Sequence, residues 1–142
     1  MKKIYIAGKL CTDSEREFLE EIDRLCKKHK FKTFLPHRDA GLCKSMKDVE
    51  KVFKGDIIEG FKDCELIIAV LNGLHVGAGT AWELGYAYSK GIPAIGIKTD
   101  ESVENALEYL SAILINSMKI VTSLDELEKE LKKLNSENTN EH

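Results

Sequence analysis

Short apolar runs alternate with amphipathic stretches along the chain. One run is apolar at every position from Leu66 to Leu71, as is typical of a central parallel strand with helices on both faces. The others are rich in β-branched and aromatic residues. The pattern therefore predicts five strands, which are KIYIA (3–7), FKTFL (31–35), ELIIAVL (65–71), PAIGI (93–97) and MKIV (118–121).

The stretches between these runs carry helix-start signals. SEREFLEEIDRLCKKH (14–29) places apolar side chains at helical spacing after a cap at Thr12 or Asp13. A serine followed three residues later by an acid predicts two further helices, one starting at Ser45 and one at Ser123. The pattern is therefore one of strands joined through helices.

Alternating strands and helices favour an α/β fold, a doubly wound (Rossmann/flavodoxin-like) five-stranded parallel sheet with order 2-1-3-4-5. We predict a single domain over residues 1–134 and a polar, frayed C-terminal tail over residues 135–142. Ligands of such sheets bind beyond the strand C-termini, between strands 1 and 3. Here the loops AGKLCTD and NGLHVGAGT would line that crevice.

Composition narrows the range of functions. The 142 residues are 43 % hydrophobic, with 21 basic and 24 acidic side chains and a net charge of −3. No basic face is available for nucleic acid. The four cysteines form no C-x-x-C pair, so we expect reduced thiols and neither a metal site nor a cofactor. The sequence has no signal-peptide pattern and no membrane-length apolar window, so we expect a soluble, cytoplasmic protein.

One carboxylate, Glu83, interrupts the apolar helix that GTAWELGYA predicts from about Gly79 or Thr80. Near a helix N-terminus a carboxylate is favoured in its charged form, so we expect an ionised Glu83 facing the crevice. Tyr5 of strand 1 can donate a hydrogen bond to it, and Asp56 can supply a second acid. The alternative is that Glu83 is only a good helix former at a favourable end.

These motifs resemble the nucleoside 2-deoxyribosyltransferase family. The resemblance rests on IYIAG, DIIEGFKDCELIIAVLNG and GTAWELGYAYSKGIP, and it runs from residue 3 to about residue 98. It implies that Glu83 is the nucleophile, that Tyr5 orients it and that Asp56 assists with the base. The chemistry fits, because a fixed carboxylate can stabilise an oxocarbenium-like state and trap the sugar as an ester. The sugar then passes to another base in a transferase, or to water in a hydrolase.

The chain departs from the family pattern beside the nucleophile. Gly77 stands where nucleoside-specific members have an aspartate that meets the 5′-hydroxyl, and relatives that hydrolyse 2′-deoxynucleoside 5′-monophosphates have a small neutral residue there. Lys9, after Gly8, replaces a proline, and Asn72 replaces a common acid. With the amides of Gly77 to Gly79, these residues could bind a 5′-phosphate. Alternatively, Gly77 is an ordinary loop glycine and Lys9 a solvated lysine.

The resemblance implies further substrate contacts outside these loops. Pro36, Arg38 and Asp39, after strand 2, would border the base pocket, although a surface turn explains them equally well. Family members reach a neighbouring subunit's site from the C-terminal third, where Asn105 or Ser111 could act. ALEYLSAILI (106–115) is also too apolar for one exposed helix face, so we expect a homodimer or higher homo-oligomer.

Two rival functions stay open. A phosphoribohydrolase of the "lonely guy" type has a P-G-G-x-G-T-x-x-E motif that overlaps Gly79-Thr80-x-x-Glu83, but the proline and the paired glycines are missing here. A catalytically silent nucleotide-binding module would keep the crevice without needing Tyr5, Asp56 and Glu83 together. The sequence does not decide which base is preferred, whether the sugar passes to another base or to water, or whether the substrate needs a 5′-phosphate.

Overall fold

The computed structural model describes residues 2–140, without the side chains of residues 138–140, and contains one parallel sheet. The strand order is β2-β1-β3-β4-β5, which confirms the predicted fold class and order. Each predicted strand is present, with bounds within one residue of the prediction. The strands are β1 (Lys3–Ala7), β2 (Lys32–Phe34), β3 (Cys64–Val70), β4 (Ala94–Ile97) and β5 (Lys119–Val121).

Helices cover both faces of the sheet. Alternate side chains of a strand point to opposite faces, so β1 sends Ile4 and Ile6 into one apolar cluster and Tyr5 and Ala7 into another. Helices α1 and α6 pack on the first cluster, and α4 packs on the second. The helices are α1 (Asp13–Lys28), α2 (Pro36–Asp39), α3 (Val49–Phe53), α4 (Ala78–Ser89), α5 (Ala112–Ser117) and α6 (Leu124–Asn140).

The helix starts follow the predicted caps to different degrees. Thr12 caps α1 in a full capping box with Glu15. At α6 the Ser123 hydroxyl accepts the Glu126 N–H at 3.1 Å. Ser45 makes no side-chain cap, and the helix predicted there begins as a 3₁₀ turn over Met46–Asp48. The sequence therefore located all three starts but not the geometry of the second.

The segment after α3 continues as a π-helix over Lys54–Glu59. It packs closely on the sheet, because a Cβ on Gly60 would lie 2.7 Å from Cε2 of Tyr5 and 2.9 Å from Cε1 of Phe34. These ring atoms cannot move aside without disturbing the core, so the position requires glycine. π-Helical turns occur frequently at functional sites, and this one carries Asp56.

Two predictions for the C-terminal third are corrected. Residues 106–115 do not form one helix: turns bury Ala106 and Leu110, and α5 starts only at Ala112. The described part of the predicted tail is helical rather than frayed, since α6 continues to Asn140. Its first residue is anchored, because Asn135 Nδ2 donates to the His29 carbonyl at 3.0 Å. Residues 141 and 142 lie outside the described residues.

Within residues 2–140, no helix has both the length and the apolar character that crossing a membrane requires.

Candidate active site

Tyr5, Asp56 and Glu83 come from three elements and meet at one end of the sheet. The Tyr5 hydroxyl donates a short hydrogen bond to Oε2 of Glu83. Asp56, in the π-helix, and Glu83, in α4, line the same cavity of about 400 Å³. The structure therefore brings together the three residues proposed for catalysis.

The Tyr5 ring is held rigidly in the core. It is completely buried and stacks against Phe34 and Phe61, at centroid distances of 5.2 Å and 4.2 Å. Burial, together with the nearby carboxylate of Glu83, raises the pKa of Tyr5 far above its ordinary value. The hydroxyl therefore keeps its proton and stays a hydrogen-bond donor to Glu83.

The helix N-terminus does not hold Glu83 in its ionised form in the way that the sequence analysis expected. Helix α4 begins at Ala78 after the N-cap Gly77, so Glu83 lies in the second turn, where the helix dipole has little effect. Burial raises the pKa of Glu83 to about 7, although the hydrogen bond from Tyr5 lowers it, while the negative charge of Asp56 adds to the rise. Both protonation states of Glu83 are therefore populated near neutral pH.

Asp56 offers a second carboxyl with an unused oxygen. Burial raises its pKa to about 6. Its Oδ1 is buried and has no hydrogen-bond partner among the described residues. An unsatisfied buried polar atom costs free energy, so protonation of this carboxyl or a new hydrogen bond to it would be stabilising. The two carboxyls can thus act on one molecule, one holding a proton and the other a negative charge.

The Glu83 cavity is otherwise apolar. Among the described residues that line it, Asp56 and Glu83 are the only ones with polar or charged side chains, apart from the indole N–H of Trp82. Across residues 2–140, no three His, Cys, Asp or Glu side chains are grouped to hold a metal ion. The remaining lining residues are Phe53, Ile57, Ala78 and Gly79.

Lys9 lies against the loop that precedes α4. A Cβ on Gly77 would be 3.2 Å from Cγ of Lys9, and a Cβ on Gly73 would be 2.9 Å from its Nζ. Lys9 and Gly77 are therefore neighbours, as their positions in the facing loops predicted. Lys9 lines a different cavity of about 320 Å³, together with Asn72 and residues of α1, and does not line the cavity of Glu83. Gly8 lies one residue before it, packed against Leu19.

Asn72 ties two loops together. Its Nδ2 donates to Oγ1 of Thr99 at 2.9 Å, and its Oδ1 accepts the Thr99 N–H at 2.8 Å. Beside it, Oδ2 of Asp100 accepts the Gly73 N–H at 2.7 Å. Substrate binding by Asn72 stays a prediction, but its amide already holds the loop that leads to α4.

A buried lysine, which the sequence analysis did not single out, supports the same loop. Lys98 is 1 % exposed, pairs with Oδ1 of Asp100 at 2.9 Å and donates to the Leu71 carbonyl at 3.3 Å. Its ammonium also lies 5.7 Å from the centre of the Tyr109 ring. The only signal in the sequence was a lysine directly after an apolar strand, which does not reveal burial.

The residues after β2 form an ion-pair cluster. Arg38 contacts Asp23 at 2.9 Å and Asp39 at 2.8 Å, and Asp39 also accepts the Leu35 N–H at 2.9 Å. Pro36 is buried at the start of α2. None of these residues lines the Glu83 cavity as the structure describes it. Their place at the border of a base pocket stays a prediction.

Neither Asn105 nor Ser111 lines the Glu83 cavity as the structure describes it. Asn105 is exposed, and Ser111 caps α5 by accepting the Ile113 N–H at 3.2 Å. Ser111 lines a groove of about 690 Å³ against a face of α4 that does not carry Glu83. A role for either residue in catalysis would need a second copy of the chain, so it stays a prediction, as does the homo-oligomer.

Comparison with known proteins identifies the family. The model of the family described as nucleoside 2-deoxyribosyltransferase matches residues 4–135. No curated protein sequence matches significantly.

Three solved structures share the fold. A conserved protein from Enterococcus faecalis V583 is 24% identical with a TM-score of 0.73, and the match covers 94% of this chain and 98% of that one. A 2-deoxyribosyltransferase from Bacillus psychrosaccharolyticus is 20% identical with a TM-score of 0.71, covering 89% and 90%. A CMP N-glycosidase from Clostridium botulinum is 19% identical with a TM-score of 0.57, covering 94% and 99%.

Proposed function

Because the chain belongs to the nucleoside 2-deoxyribosyltransferase family, we propose that it cleaves the N-glycosidic bond of 2′-deoxyribonucleosides or of their 5′-monophosphates. The family supports a transferase or N-glycosidase that acts on a nucleoside or nucleotide. The observation that carries the finer proposal is the hydrogen bond from Tyr5 to Glu83 in a cavity that also contains Asp56. A module that only binds nucleotides has no need of that arrangement.

The first step forms a covalent glycosyl ester. The Glu83 carboxylate attacks C1′ of the sugar as the bond from C1′ to the base nitrogen breaks, and the base leaves with the bonding electron pair. Asp56 gives its proton to that base, which departs neutral. Tyr5 holds one Glu83 oxygen, so the other is directed to C1′.

The second step returns the site to its starting state. A second base, or water, attacks C1′ and the ester bond to Glu83 breaks. The Asp56 carboxylate takes a proton from the attacking base or water, which regenerates both carboxyl groups. Transfer and hydrolysis therefore use the same residues and differ only in the acceptor.

The 5′ end of the substrate is proposed to lie beside Gly77. An aspartate there would repel a phosphate, because two like charges about 4 Å apart cost about 4 kcal/mol at an effective dielectric constant of 20, before screening by salt. Gly77 carries no charge, and the stem of Lys9 lies beside it. We therefore propose that 2′-deoxynucleoside monophosphates are accepted at least as well as 2′-deoxynucleosides.

A substrate panel tests the proposed function directly. Each deoxynucleoside, deoxynucleotide and matching ribonucleoside would be incubated with the protein, with and without a second free base, and base release or exchange followed by chromatography. We expect release from 2′-deoxy substrates at a much higher rate than from ribo substrates. Equal kcat/KM for a deoxynucleoside and its ribonucleoside would refute the sugar preference, and no release from any substrate would support the silent module.

Gly77→Asp should change the preference at the 5′ end. Gly77 has φ −60°, and a Cβ there would lie 3.2 Å from the flexible stem of Lys9 and 3.8 Å from Oγ1 of Thr80, so the variant should fold. We expect the kcat/KM ratio of monophosphate to nucleoside to fall about tenfold or more, since each 1.4 kcal/mol is worth tenfold. Gly77→Asn is the control, because it adds the same shape without the charge. If Gly77→Asp leaves the ratio unchanged, the 5′ group does not lie beside Gly77.

A further inference from the structure

Two large aromatic side chains stand at the mouth of the Glu83 cavity. Phe53, at the end of α3, is 50% exposed, and Trp82, in α4, is 52% exposed. Their ring centroids are 6.2 Å apart with an interplanar angle of 74°. Both rings line the cavity that contains Asp56 and Glu83. Aromatic rings of this size bury well against planar partners, so their exposure beside two carboxyls indicates a binding surface.

The indole of Trp82 is fixed from one side. Tyr86 stacks on it at 5.6 Å with an interplanar angle of 11°, and Tyr86 in turn packs edge-on against Phe61 at 5.1 Å. A ring held in this way is already oriented for a planar ligand. Binding therefore costs little side-chain entropy.

The rest of the lining restricts how a ligand can be recognised. Besides the carboxyls and the indole N–H, the described lining residues offer only apolar side chains and the backbone of Ala78 and Gly79. These side chains therefore cannot distinguish one base from another through many hydrogen bonds. The Asp56 carboxyl provides one polar contact within the same cavity.

We propose that Phe53 and Trp82 bind the nucleobase beside Asp56 and Glu83, one ring stacking on the base and the other packing edge-on, and that they favour purines over pyrimidines. The inference rests on the proposed function for the identity of the ligand as a nucleoside or nucleotide. Stacking strength grows with the area of the base and tolerates changes at its edges. A purine covers more of these rings than a pyrimidine does, so stacking favours purines. Asp56 does not add to this preference, because it can protonate a ring nitrogen of either kind of base.

Binding at Trp82 can be followed by its own fluorescence, because the chain contains one tryptophan. Free adenine and free cytosine would be titrated into the wild-type protein while indole emission is recorded, with excitation where the bases do not absorb. We expect saturable quenching, with a midpoint at least about threefold lower for adenine. Quenching that does not saturate, or that matches the quenching of free tryptophan amide, would overturn the proposal.

Variants separate stacking from simple space filling. Phe53→Leu keeps an apolar side chain and the tryptophan probe, and Trp82→Leu is followed by calorimetry with adenine. Both positions are half exposed, so neither change opens the core. We expect each variant to weaken adenine binding by about fivefold or more. Tyr88→Leu is the matched control, since Tyr88 is an aromatic residue of α4, 71% exposed, that does not line this cavity.

The two proposals can fail separately. Saturable quenching by adenine without cleavage of any substrate would refute the proposed function and support the stacking surface. Cleavage whose KM is unchanged in both Phe53→Leu and Trp82→Leu would support the proposed function and overturn the stacking surface.

Discussion

Glu83→Ala should lower kcat/KM by about a thousandfold or more while the fold stays intact. The nucleophile is absent in this variant, and removal of a nucleophile in other enzymes costs a comparable or larger factor. The Glu83 side chain is partly buried and accepts a hydrogen bond from the Tyr5 hydroxyl, so truncation removes that bond but no apolar side chain from the core. Base release would be measured at saturating and limiting substrate, and folding would be checked by circular dichroism.

A neighbouring acid controls for the loss of charge alone. Glu59→Ala removes an exposed carboxylate from the π-helix that carries Asp56, and it should keep wild-type activity. If Glu83→Ala retained more than about a tenth of wild-type turnover, the barrier would have risen by less than ~1.4 kcal/mol, and a covalent role would be excluded.

The covalent intermediate can also be trapped. A 2-fluoro-2-deoxyribosyl substrate destabilises the oxocarbenium-like state and slows the breakdown of the ester. Peptide mass spectrometry should then locate one sugar adduct on the peptide that contains Glu83. An adduct elsewhere, with Glu83 unmodified, would assign the nucleophile to another residue.

The sheet and the meeting of Tyr5 with Glu83 could be predicted from the sequence. Strand periodicity is a local signal, and a parallel sheet brings the C-terminal ends of its strands to one edge. Tyr5 lies on β1, and Glu83 follows the loop after β3, which is the neighbour of β1, so the strand order brings them to the same region of the sheet. The capping box at Thr12 is local in the same way, and it was found where predicted.

The features that failed or were missed depend on tertiary packing. The π-helix is stable where Gly60 lies against the Tyr5 ring, a contact between residues far apart in the chain. The raised pKa of Glu83 is caused mainly by burial, which helix position alone does not predict. Lys98 looks like a surface lysine in the sequence, and only the fold shows that Asp100 and a carbonyl enclose its ammonium.

The two carboxyls should give kcat/KM a bell-shaped pH dependence with its maximum between about pH 6 and pH 7. Glu83 attacks as the carboxylate, and because its pKa is about 7, this form is lost as the pH falls below 7. Asp56 acts as the protonated acid, and because its pKa is about 6, that form is lost as the pH rises above 6. Since the pKa of Glu83 is the higher of the two, the reactive form with Glu83 charged and Asp56 protonated is a minority of the protein even at the maximum. The groups interact, so the two limbs describe the pair rather than single residues.

Asp56→Asn should remove the alkaline limb of this profile and lower kcat/KM on natural bases by about a hundredfold or more, the usual contribution of a positioned acid. Substrates whose leaving group departs without a proton should lose much less activity. Asp63→Asn is the control, since Asp63 is exposed and its φ of 59° suits asparagine. A variant at Asp56 that kept both limbs, and lost as much activity on activated as on natural leaving groups, would show that Asp56 does not supply the proton.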